Sequence, residues 1–504
     1  MLLHEAFERT AETHGGKTAL VSGAARVTYD EFFRTVRSVA ALLQAQGVTR
    51  GDRVVLFLDG TIEFAAAVHA VLRIGAAFVP VSPLVKTDKL AYVLRDTGAS
   101  ALVAHARMRH VWDAAVDQAP EGLTSIVVGG GTTGRDVAWE TSAGERGTTP
   151  AIDPNALAAI IYTSGSTGVP KGVALTHHNM CAAWTSVQGY LGLRESDVIG
   201  LALPPSFSYG LYYLLMGLGL GATVVLERAA AFPKAVVDGL MRERVTVFPG
   251  VPTLFSAILA LPGLASCDLS SIRIVTNAAD ALPESQVKAL HALLPQAALF
   301  LMYGMTECKR ISYLPPEELE RRPASVGRGI PGQTHWLVDE NGTRLEYGST
   351  GELVVAGHHV MRGYWNKPEE TALRLKPGPG PNGVVLHTGD IFRTDKDGWL
   401  YFVARKDDIL KTRGEKVAPR EVEGVIHELP GVLECAVIGI PDRLLGTAIR
   451  AIVRLTPGAT LTERDVIRHC LAKLEPFMAP ASVVFVDELP RTESGKIRRI
   501  DLHG

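Results

Sequence analysis

A loop composed only of glycine, serine and threonine, directly after an apolar run, constrains this chain more than any other feature. Residues 156–162 are apolar and of strand length, and every residue from 163 to 168 is Gly, Ser or Thr. Glycines let backbone N–H groups approach phosphate oxygens, hydroxyls add donors, and Lys171 supplies a positive charge. Thr176 stands where it would cap a helix beginning at His177. The stretch therefore predicts a strand, a phosphate-binding loop and a helix, whereas a flexible Ser/Gly linker needs no such flanks.

The spacing of this loop excludes a Walker A motif. Counting from Gly165, Pro170 stands where the second glycine of G-x-x-x-x-G-K-[ST] belongs, and Gly172 stands where Ser or Thr belongs. A P-loop NTPase is therefore disfavoured. Residues 162–172 instead resemble the phosphate loop of the adenylate-forming enzymes, which include acyl-CoA synthetases, adenylation domains of peptide synthetases and luciferases. The resemblance implies that nucleotide phosphates contact Thr163, Ser164, Gly165, Ser166, Thr167, Gly168 and Lys171.

Length and composition describe a soluble globular protein of several domains. The chain has 504 residues, of which 47% are hydrophobic and 21% charged, enough for about two to four domains. A net charge of -2 favours neither nucleic acid nor an anionic membrane surface as a partner. The five cysteines are odd in number, far apart and without a C-x-x-C pair. This pattern predicts reduced thiols and no structural zinc site.

The sequence predicts a cytoplasmic protein without a membrane span. The first eight residues carry acids early and do not place a basic segment before an apolar one, so they do not form a signal peptide. Residues 198–226 lack charge and are long enough to cross a bilayer, but Pro204, Pro205 and five glycines interrupt them. A buried strand, loop, helix and second strand explain this stretch better.

The first part of the chain alternates helices with strands, which predicts an α/β sheet. Helices are expected over residues 32–46 and 64–74, and a strand over residues 53–58. Residues 75–83 resemble the early G-A-x-x-x-P-x-x-P element of the same superfamily. Residues 129–134 match G-x-G-x-x-G, but no amphipathic helix follows, so we interpret them as a surface turn.

Two pairs of adjacent histidines are interpreted as structural or solvated. His177 and His178 form one pair, and His358 and His359 form the other. Neighbouring residues on a regular element point in different directions, so the members of a pair cannot both face one metal ion.

Further nucleotide motifs of the superfamily follow in order. Tyr303, Gly304, Met305, Thr306 and Glu307 match Y-G-x-T-E, which offers a ring for adenine, a glycine for a turn, a hydroxyl for phosphate and a carboxylate for Mg²⁺. The resemblance gives catalytic roles to Thr306 and Glu307.

Two flanking stretches complete the nucleotide site that the resemblance implies. A strand over residues 272–277 leads to Ala278, Ala279 and Asp280, at the position of the adenine-binding strip, where alanines replace the usual glycines. Asp390, in a Thr-Gly-Asp sequence, is expected to accept hydrogen bonds from both ribose hydroxyls. Arg405 is expected to contact the nucleotide as well.

The resemblance implies an acid-binding pocket formed by Phe207, Ser208, Tyr209, Gly304 and Met305. Peptide-synthetase domains usually carry an aspartate where this chain has Ser208, and a hydroxyl cannot balance a buried ammonium, so an α-amino acid substrate is disfavoured. The apolar side chains favour an aromatic or medium aliphatic acid. Lys309 and Arg310 leave two alternatives open, because they are either solvated or positioned to bind a second anionic group of the substrate.

The polar run that begins at Arg405 predicts a domain boundary. We expect an N-terminal adenylation body over residues 1–403, a hinge over residues 404–408 centred on Asp407, and a mobile α+β domain over residues 409–504. Near the C-terminus, residues 490–497 resemble the closing P-R/K-T-x-S-G-K motif, which supplies the catalytic Lys496. Gly414 matches the glycine beside which the pantetheine arm passes. The resemblance implies that the small domain swings after the first half-reaction.

The implied activity is ATP-dependent formation of an acyl-adenylate with release of pyrophosphate, followed by transfer to the thiol of coenzyme A. The expected fold is a large body of packed α/β sheets with a small mobile α+β domain. Expected cofactors are ATP, Mg²⁺ held by Glu307, and coenzyme A or the phosphopantetheine of a carrier protein. The alternatives are a stand-alone enzyme that loads a carrier protein and an amide synthetase. The protein is expected to be a monomer or homodimer that binds a small carboxylic acid.

Overall fold

The computed structural model describes residues 2–134, 136–139, 149–163, 170–227, 232–412, 415–442, 446–491 and 497–502. Some predicted site residues lie outside these ranges, namely Ser164, Gly165, Ser166, Thr167, Gly168, Gly414 and Lys496. For Asp407 only the backbone is described. The described chain divides into two compact units, one formed by Met1–Pro323, Arg328–Thr334 and Val355–Leu386, the other by Ala324–Gly327, His335–Val354 and His387–Gly504.

Helices and strands alternate through the first unit, as predicted. They begin with α1 (Leu3–His14), β1 (Thr18–Ser22), β2 (Ala25–Thr28), α2 (Tyr29–Ala45), β3 (Arg53–Phe57), α3 (Ile62–Arg73), β4 (Ala77–Pro80), α4 (Thr87–Thr97), β5 (Ala101–His105), α5 (Arg109–Val116), β6 (Thr124–Val128), β7 (Asp136–Ala138), β8 (Leu157–Thr163), β9 (Lys171–Thr176) and α6 (His177–Leu191). They continue with β10 (Val198–Leu201), α7 (Ser208–Leu220), β11 (Thr223–Leu226), α8 (Pro233–Arg242), β12 (Val247–Gly250), α9 (Pro252–Leu259), β13 (Ile274–Asn277), α10 (Glu284–Leu293), β14 (Ala298–Tyr303), β15 (Ser312–Leu314) and β16 (Arg328–Gly329).

The remaining elements are mainly strands. In chain order they are β17 (Gln333–Val338), β18 (Thr350–Gly357), β19 (Gly363–Tyr364), α11 (Pro368–Arg374), β20 (Leu375–Pro377), β21 (Val384–Thr394), β22 (Leu400–Arg405), β23 (Leu410–Thr412), β24 (Glu415–Val417), α12 (Pro419–His427), β25 (Val432–Asp442), β26 (Gly446–Leu455), α13 (Glu463–Lys473) and β27 (Ser482–Phe485). The elements from α12 to β27 match the predicted small helix-and-strand domain.

Two large sheets form the body of the first unit. One has the strand order β16-β15-β14-β13-β12-β10-β11-β1-β2, and the other has the order β19-β9-β8-β4-β3-β5-β6-β7. The strands from β10 to β14 pair in parallel, and so do β3 to β6, because helices cross over between consecutive strands. The predicted α/β class is confirmed.

The uncharged stretch at residues 198–226 is a buried part of this body. It contains strand β10, helix α7 and strand β11, as predicted. Within the described residues, every helix is too short or too polar to cross a bilayer.

The strand before the predicted phosphate loop pairs with a strand that the sequence analysis missed. Strands β8 and β9 are antiparallel, with Thr163 opposite Lys171 and Tyr162 opposite Gly172. Strand β9 ends at Thr176, whose hydroxyl accepts a 3.1 Å hydrogen bond from the Asn179 N–H at the start of α6, so the predicted cap is confirmed. The phosphate-loop sequence therefore connects the strands of a hairpin.

The second unit contains its own packed core. In one sheet, β25 pairs with β26 antiparallel and β26 with β27 parallel. Helices α12 and α13 cover it, and its core includes Val422, Val437, Ala451, Val466 and Cys470. A further sheet of the chain, not confined to this unit, has the order β17-β18-β21-β20, with β22 paired to β21. The predicted hinge residues 406–408 form a short 3₁₀ turn after β22. The proposed boundary at residues 404–408 remains a prediction.

Candidate active site

The predicted adenine strip and the Y-G-M-T-E motif lie at the carboxyl edge of one parallel sheet. Gly250 at the end of β12 pairs with Asn277 at the end of β13, and Asn277 pairs with Leu301 in β14. The loops that leave these strands therefore emerge side by side. One begins with Ala278, and another begins with Gly304.

The loop between β14 and β15 carries the Y-G-M-T-E motif, for which a catalytic role is predicted. The Ile311 N–H donates a 2.9 Å hydrogen bond to the Tyr303 carbonyl and closes the hairpin loop. Gly304 is required here, because a Cβ at that position would lie 2.4 Å from the Lys309 carbonyl oxygen. Residues 303–306 are half-buried, whereas Glu307 is buried. The motif is thus folded as a compact turn that leaves Tyr303 and Thr306 partly accessible.

Tyr364, which the sequence analysis missed, contacts both the strand after the phosphate loop and the Y-G-M-T-E motif. Its hydroxyl donates a 2.7 Å hydrogen bond to Oε1 of Glu307. The Lys171 Nζ lies 5.6 Å from the centroid of its ring. Tyr364 occupies this position because β19 pairs with β9, placing it opposite Val173. Lys171 and Glu307, distant in sequence, therefore meet on one aromatic side chain.

The Ala-Ala-Asp stretch forms a strained turn after β13. Ala278 is buried, whereas Ala279 is exposed and has φ +75°, in the left-handed region that favours glycine. The Asn277 side-chain amide donates a 2.9 Å hydrogen bond to the Asp280 carbonyl across this turn. Ala279 adopts the backbone conformation that glycine favours. The turn is therefore formed even though alanine replaces the glycine that is usual at this position. Its nucleotide contact remains a prediction.

In the second unit, Asp390 lies on β21 beside Arg405. Asp390 is buried, it stands opposite Arg405 in the β21–β22 pair, and its Oδ1 lies 3.7 Å from the Arg405 Nε. The Thr388 hydroxyl accepts a 3.1 Å hydrogen bond from the Asp390 N–H. These two predicted nucleotide residues therefore lie together.

Glu352, also absent from the sequence analysis, fixes the turn before Asp390. Its Oε1 accepts a 3.0 Å hydrogen bond from the Gly389 N–H, and its Oε2 one of 3.0 Å from the Lys406 Nζ. Burial opposes ionisation of this carboxyl, but His387, Lys406 and the Gly389 N–H outweigh it and hold its pKa at about 2. Glu352 is thus a fixed anion that orders this segment.

Three of the predicted pocket residues lie at the start of α7, and the other two, Gly304 and Met305, lie in the loop after β14. Phe207 and Ser208 are half-buried and Tyr209 is buried. The Tyr209 hydroxyl lies 2.8 Å from Oγ1 of Thr276 on β13, and the Tyr213 hydroxyl lies 2.7 Å from the same atom. These contacts hold the start of α7 against β13, the strand that precedes the adenine-strip turn.

Lys309 and Arg310 are buried, so the interpretation of them as solvated is wrong. Their side chains lie within the fold because the hairpin loop turns at Lys309, which has φ +61°. The Lys309 Nζ donates a 2.6 Å hydrogen bond to the Ser208 carbonyl and lies 4.2 Å from the ring centroid of Tyr212. Burial and the neighbouring Arg310 hold the pKa of Lys309 well below its usual value.

The histidine pairs behave as predicted, with one added contact. His177 and His359 are buried, while His178 and His358 face each other with Nε2 and Nδ1 2.9 Å apart. Across the described ranges, no group of three or more His, Cys, Asp or Glu side chains is arranged to hold a metal ion.

Comparison with known proteins establishes the family. The AMP-binding enzyme family matches residues 7–365, and the AMP-binding enzyme C-terminal domain matches residues 421–496. The chain belongs to the AMP-binding enzyme family. It is 31% identical to an indoleacetate–CoA ligase of Aromatoleum aromaticum, over 100% of this chain and 98% of that protein. It is also 31% identical to a long-chain-fatty-acid–CoA ligase of Escherichia coli O6:H1, over 99% of this chain and 94% of that protein.

Solved structures show the same fold. The anthranilate CoA ligase in complex with anthranoyl-AMP superposes with a TM-score of 0.90 at 28% identity, covering 100% of this chain and 96% of that chain. An amide bond synthetase from Marinactinospora thermotolerans superposes with a TM-score of 0.88 at 27% identity, covering 100% and 99%. The relatives thus share a fold while differing in both acid and acceptor.

Proposed function

We propose that this protein is an AMP-forming carboxylic acid–coenzyme A ligase. The observation that carries the proposal is the meeting of Lys171 and Glu307 on Tyr364. It brings Lys171, at the base of the phosphate-loop hairpin, close to the carboxylate of the Y-G-M-T-E motif, where a nucleoside triphosphate and its magnesium ion would bind. The named relatives support transfer to coenzyme A.

The chemistry follows from the low reactivity of a carboxylate. It is a stabilised anion with a poor leaving group, so a thiol cannot be acylated by it without prior activation. Attack of the acid on the α-phosphate of ATP expels pyrophosphate and leaves an acyl-adenylate. The thiolate of coenzyme A then attacks the acyl carbon, and AMP departs.

In the first step the acid carboxylate must approach the triphosphate of ATP, and both are anions. The proposed roles of the side chains are to offset this repulsion. Lys171 and the loop hydroxyls neutralise the phosphates, and Thr306 donates to a phosphate oxygen. Lys496 holds the acid carboxylate and the α-phosphate oxygens together. Asp390 and Arg405 bind the ribose side of the nucleotide, and Tyr303 with Ala278 flanks the adenine.

Glu307 fits a magnesium ion shared with the nucleotide. Mg²⁺ is commonly held by one or two carboxylates together with substrate phosphates, which agrees with a single buried carboxylate fixed by the Tyr364 hydroxyl. When bound, the ion would offset phosphate charge. The Tyr364 hydroxyl would orient the Glu307 carboxylate both with and without the ion.

The acceptor in the second step separates this proposal from its alternatives. The superposed amide bond synthetase keeps an amine acceptor open as a second candidate. Loading of a carrier protein through its phosphopantetheine is a third. The first half-reaction is common to all of them.

A pyrophosphate-exchange screen over a panel of carboxylic acids tests the first half-reaction. The spent nucleotide should be AMP, and ADP as the main product would overturn the proposal. The best acid is then incubated separately with free coenzyme A, a phosphopantetheinylated carrier protein and simple amines. Acyl-CoA at modest coenzyme A concentration confirms the ligase, whereas exclusive amide or carrier-bound product reassigns the second step.

A further inference from the structure

Two adjacent cations are buried beside the predicted acid pocket. Arg310 is 3% exposed and Lys309 is 5% exposed. In the part of the chain that the structure describes, neither forms a salt bridge with a carboxylate. The more exposed guanidinium of Arg273, by contrast, is bound by both oxygens of buried Asp197, at 2.8 and 2.5 Å. An uncompensated buried charge is costly, so this pair requires an explanation.

The fold directs both cations to one place. The hairpin loop packs Gly304 against the backbone of Lys309 and Arg310, which fixes their position relative to the catalytic motif. The Lys309 Nζ reaches the Ser208 carbonyl in the first turn of α7. The Arg310 guanidinium carbon lies 5.2 Å from the ring centroid of Tyr209, the next residue of that helix. Both charges therefore lie where the pocket was predicted.

The surrounding groups do not neutralise this charge. The first turn of α7 itself carries a partial positive charge, and its N-cap residue Phe207 provides no side-chain cap. Tyr209 and Tyr213 supply hydroxyls, and burial raises their pKa values while Arg310 acts in the opposite direction. The pKa of Tyr213 is raised to about 12, so its hydroxyl stays neutral. Neutral rings and hydroxyls reduce the cost of burying a cation but do not cancel its charge.

Unpartnered polar atoms lie at the same edge of the sheet. The Arg310 Nε is buried without a hydrogen-bond partner among the described residues. The same holds for Oγ of Ser206, in the loop before α7, and for Oδ1 of Asn277, at the end of β13. Buried polar atoms are normally bonded, so such atoms mark a place for a polar ligand.

We propose that the acid activated by this enzyme is a dicarboxylic acid whose second carboxylate pairs with Arg310 in the predicted acid pocket. The inference rests on the proposed ligase function and adds the class of substrate. A planar guanidinium matches a carboxylate with paired hydrogen bonds, and Lys309 adds a second positive group. A simple monoacid would leave the guanidinium without an anionic partner, and the ammonium of an amino acid would be repelled. The tyrosine rings favour an aromatic or similarly flat diacid.

Matched acids test the proposal through the exchange assay. Two pairs of acids are compared, isophthalate with benzoate and adipate with hexanoate. The acids of each pair share a carbon skeleton, and only the first carries a second carboxylate. With the wild-type protein, kcat/KM for the better diacid should exceed that for its monoacid by on the order of 10²-fold, the effect of a buried charge pair. Equal use of diacids and monoacids would overturn the inference.

Arg310→Met removes the charge and keeps much of the side-chain volume. The variant should lose the diacid preference by on the order of 10²-fold while retaining or gaining monoacid activity. Arg310→Lys should keep part of the preference, because a charge remains. Arg393 also lies over a tyrosine ring, with its guanidinium carbon 4.4 Å from the Tyr401 centroid, but it is exposed. Arg393→Met is the matched control and should leave the diacid ratio unchanged.

Melting temperature separates binding from folding. Removing an unpaired buried cation should raise or maintain the Tm of ligand-free Arg310→Met, and the diacid should raise the Tm of the wild type only. A lower Tm together with an unchanged diacid ratio would show that Arg310 serves the fold alone and would overturn the inference. Absence of exchange with every acid would overturn the ligase function itself, whereas exchange with monoacids alone would overturn only the dicarboxylic substrate.

Discussion

The hydroxyl of Tyr364 donates a 2.7 Å hydrogen bond to Oε1 of Glu307, and both side chains are buried. The same ring lies beneath the Lys171 Nζ. A short strand pairing, β19 with β9, thus orients the carboxylate proposed to hold magnesium. We therefore expect Tyr364 to act on the reaction through Glu307, as a positioning residue.

Tyr364→Phe keeps the ring beneath Lys171 and removes only the hydroxyl. A hydrogen bond to a charged group contributes about 1.5–3 kcal/mol, so kcat/KM for adenylation should fall roughly tenfold to hundredfold. The Mg²⁺ concentration needed for half-maximal activity should rise. Tyr401→Phe, which removes a hydroxyl bonded to Asp395 at 3.2 Å, is the control and should leave both quantities unchanged. An unchanged magnesium requirement in Tyr364→Phe would argue against the orienting role.

Lys496→Ala should separate the half-reactions. Removing one charge-stabilising group typically costs on the order of 10² to 10³ in rate, so pyrophosphate exchange should nearly vanish while ATP still binds. Supplied with synthetic acyl-adenylate, the variant should still form thioester. Lys473→Ala, which removes a surface partner of Glu428, is the control. Equal loss of both steps would refute the assignment.

Variants at the predicted hinge and at the predicted pantetheine path should have the opposite effect, with loss of thioester formation and retention of adenylation. Proline fixes φ near roughly -65°, so Asp407→Pro should retain pyrophosphate release and lose thioester formation. Gly414→Leu should do the same by obstructing the pantetheine arm. If Gly414 serves only a turn, its variant should instead melt early and lose both half-reactions. Normal melting with thioester formation at the wild-type rate would place the hinge and the path elsewhere.

Buried histidines predict that the first unit is acid-labile. Burial lowers the pKa values of His69 and His177 to about 3, while the unfolded chain protonates near 6.5. The unfolded state therefore binds more protons between pH 6.5 and about 3. As the pH is lowered through this range, the free energy of unfolding decreases by about 1.4 kcal/mol per pH unit for each histidine. Both ring nitrogens of His69 lack partners among the described residues, and the ring packs on Phe7. His69→Leu should reduce this slope in denaturant titrations, whereas substitution of exposed His110 by Gln should not.

Ala279→Gly should stabilise the protein. A non-glycine residue in the left-handed region costs about 1–2 kcal/mol, which exceeds the entropic cost of glycine, about 0.5–1 kcal/mol. Ala279 has φ +75°, so we expect a gain of about 1 kcal/mol. Ala281→Gly, two residues later at an ordinary φ, should destabilise by about 0.5–1 kcal/mol. Urea unfolding of both variants measures these changes in the free energy of unfolding. If Ala279→Gly also destabilises the protein, the backbone at Ala279 is not strained.

The sequence by itself determined the α/β class, the positions of several helices and strands, and the order of the nucleotide motifs. These features depend on local patterns, such as the apolar run of β8, the Thr176 cap and the uncharged stretch that became β10, α7 and β11. Such patterns act over a few residues and can be detected in one chain. The roles of the phosphate-loop residues and of Lys496 rest instead on the resemblance of their motifs to those of the superfamily, and they remain predictions.

Only the tertiary structure decided which distant residues meet. Tyr364 is an unremarkable tyrosine in sequence, and it reaches Glu307 because β19 pairs with β9. Glu352 similarly reaches the Gly389 N–H from another strand. Lys309 and Arg310 look like solvated charges until the hairpin turn buries them. Strand pairing and burial depend on contacts between remote segments, for which a local pattern carries no signal.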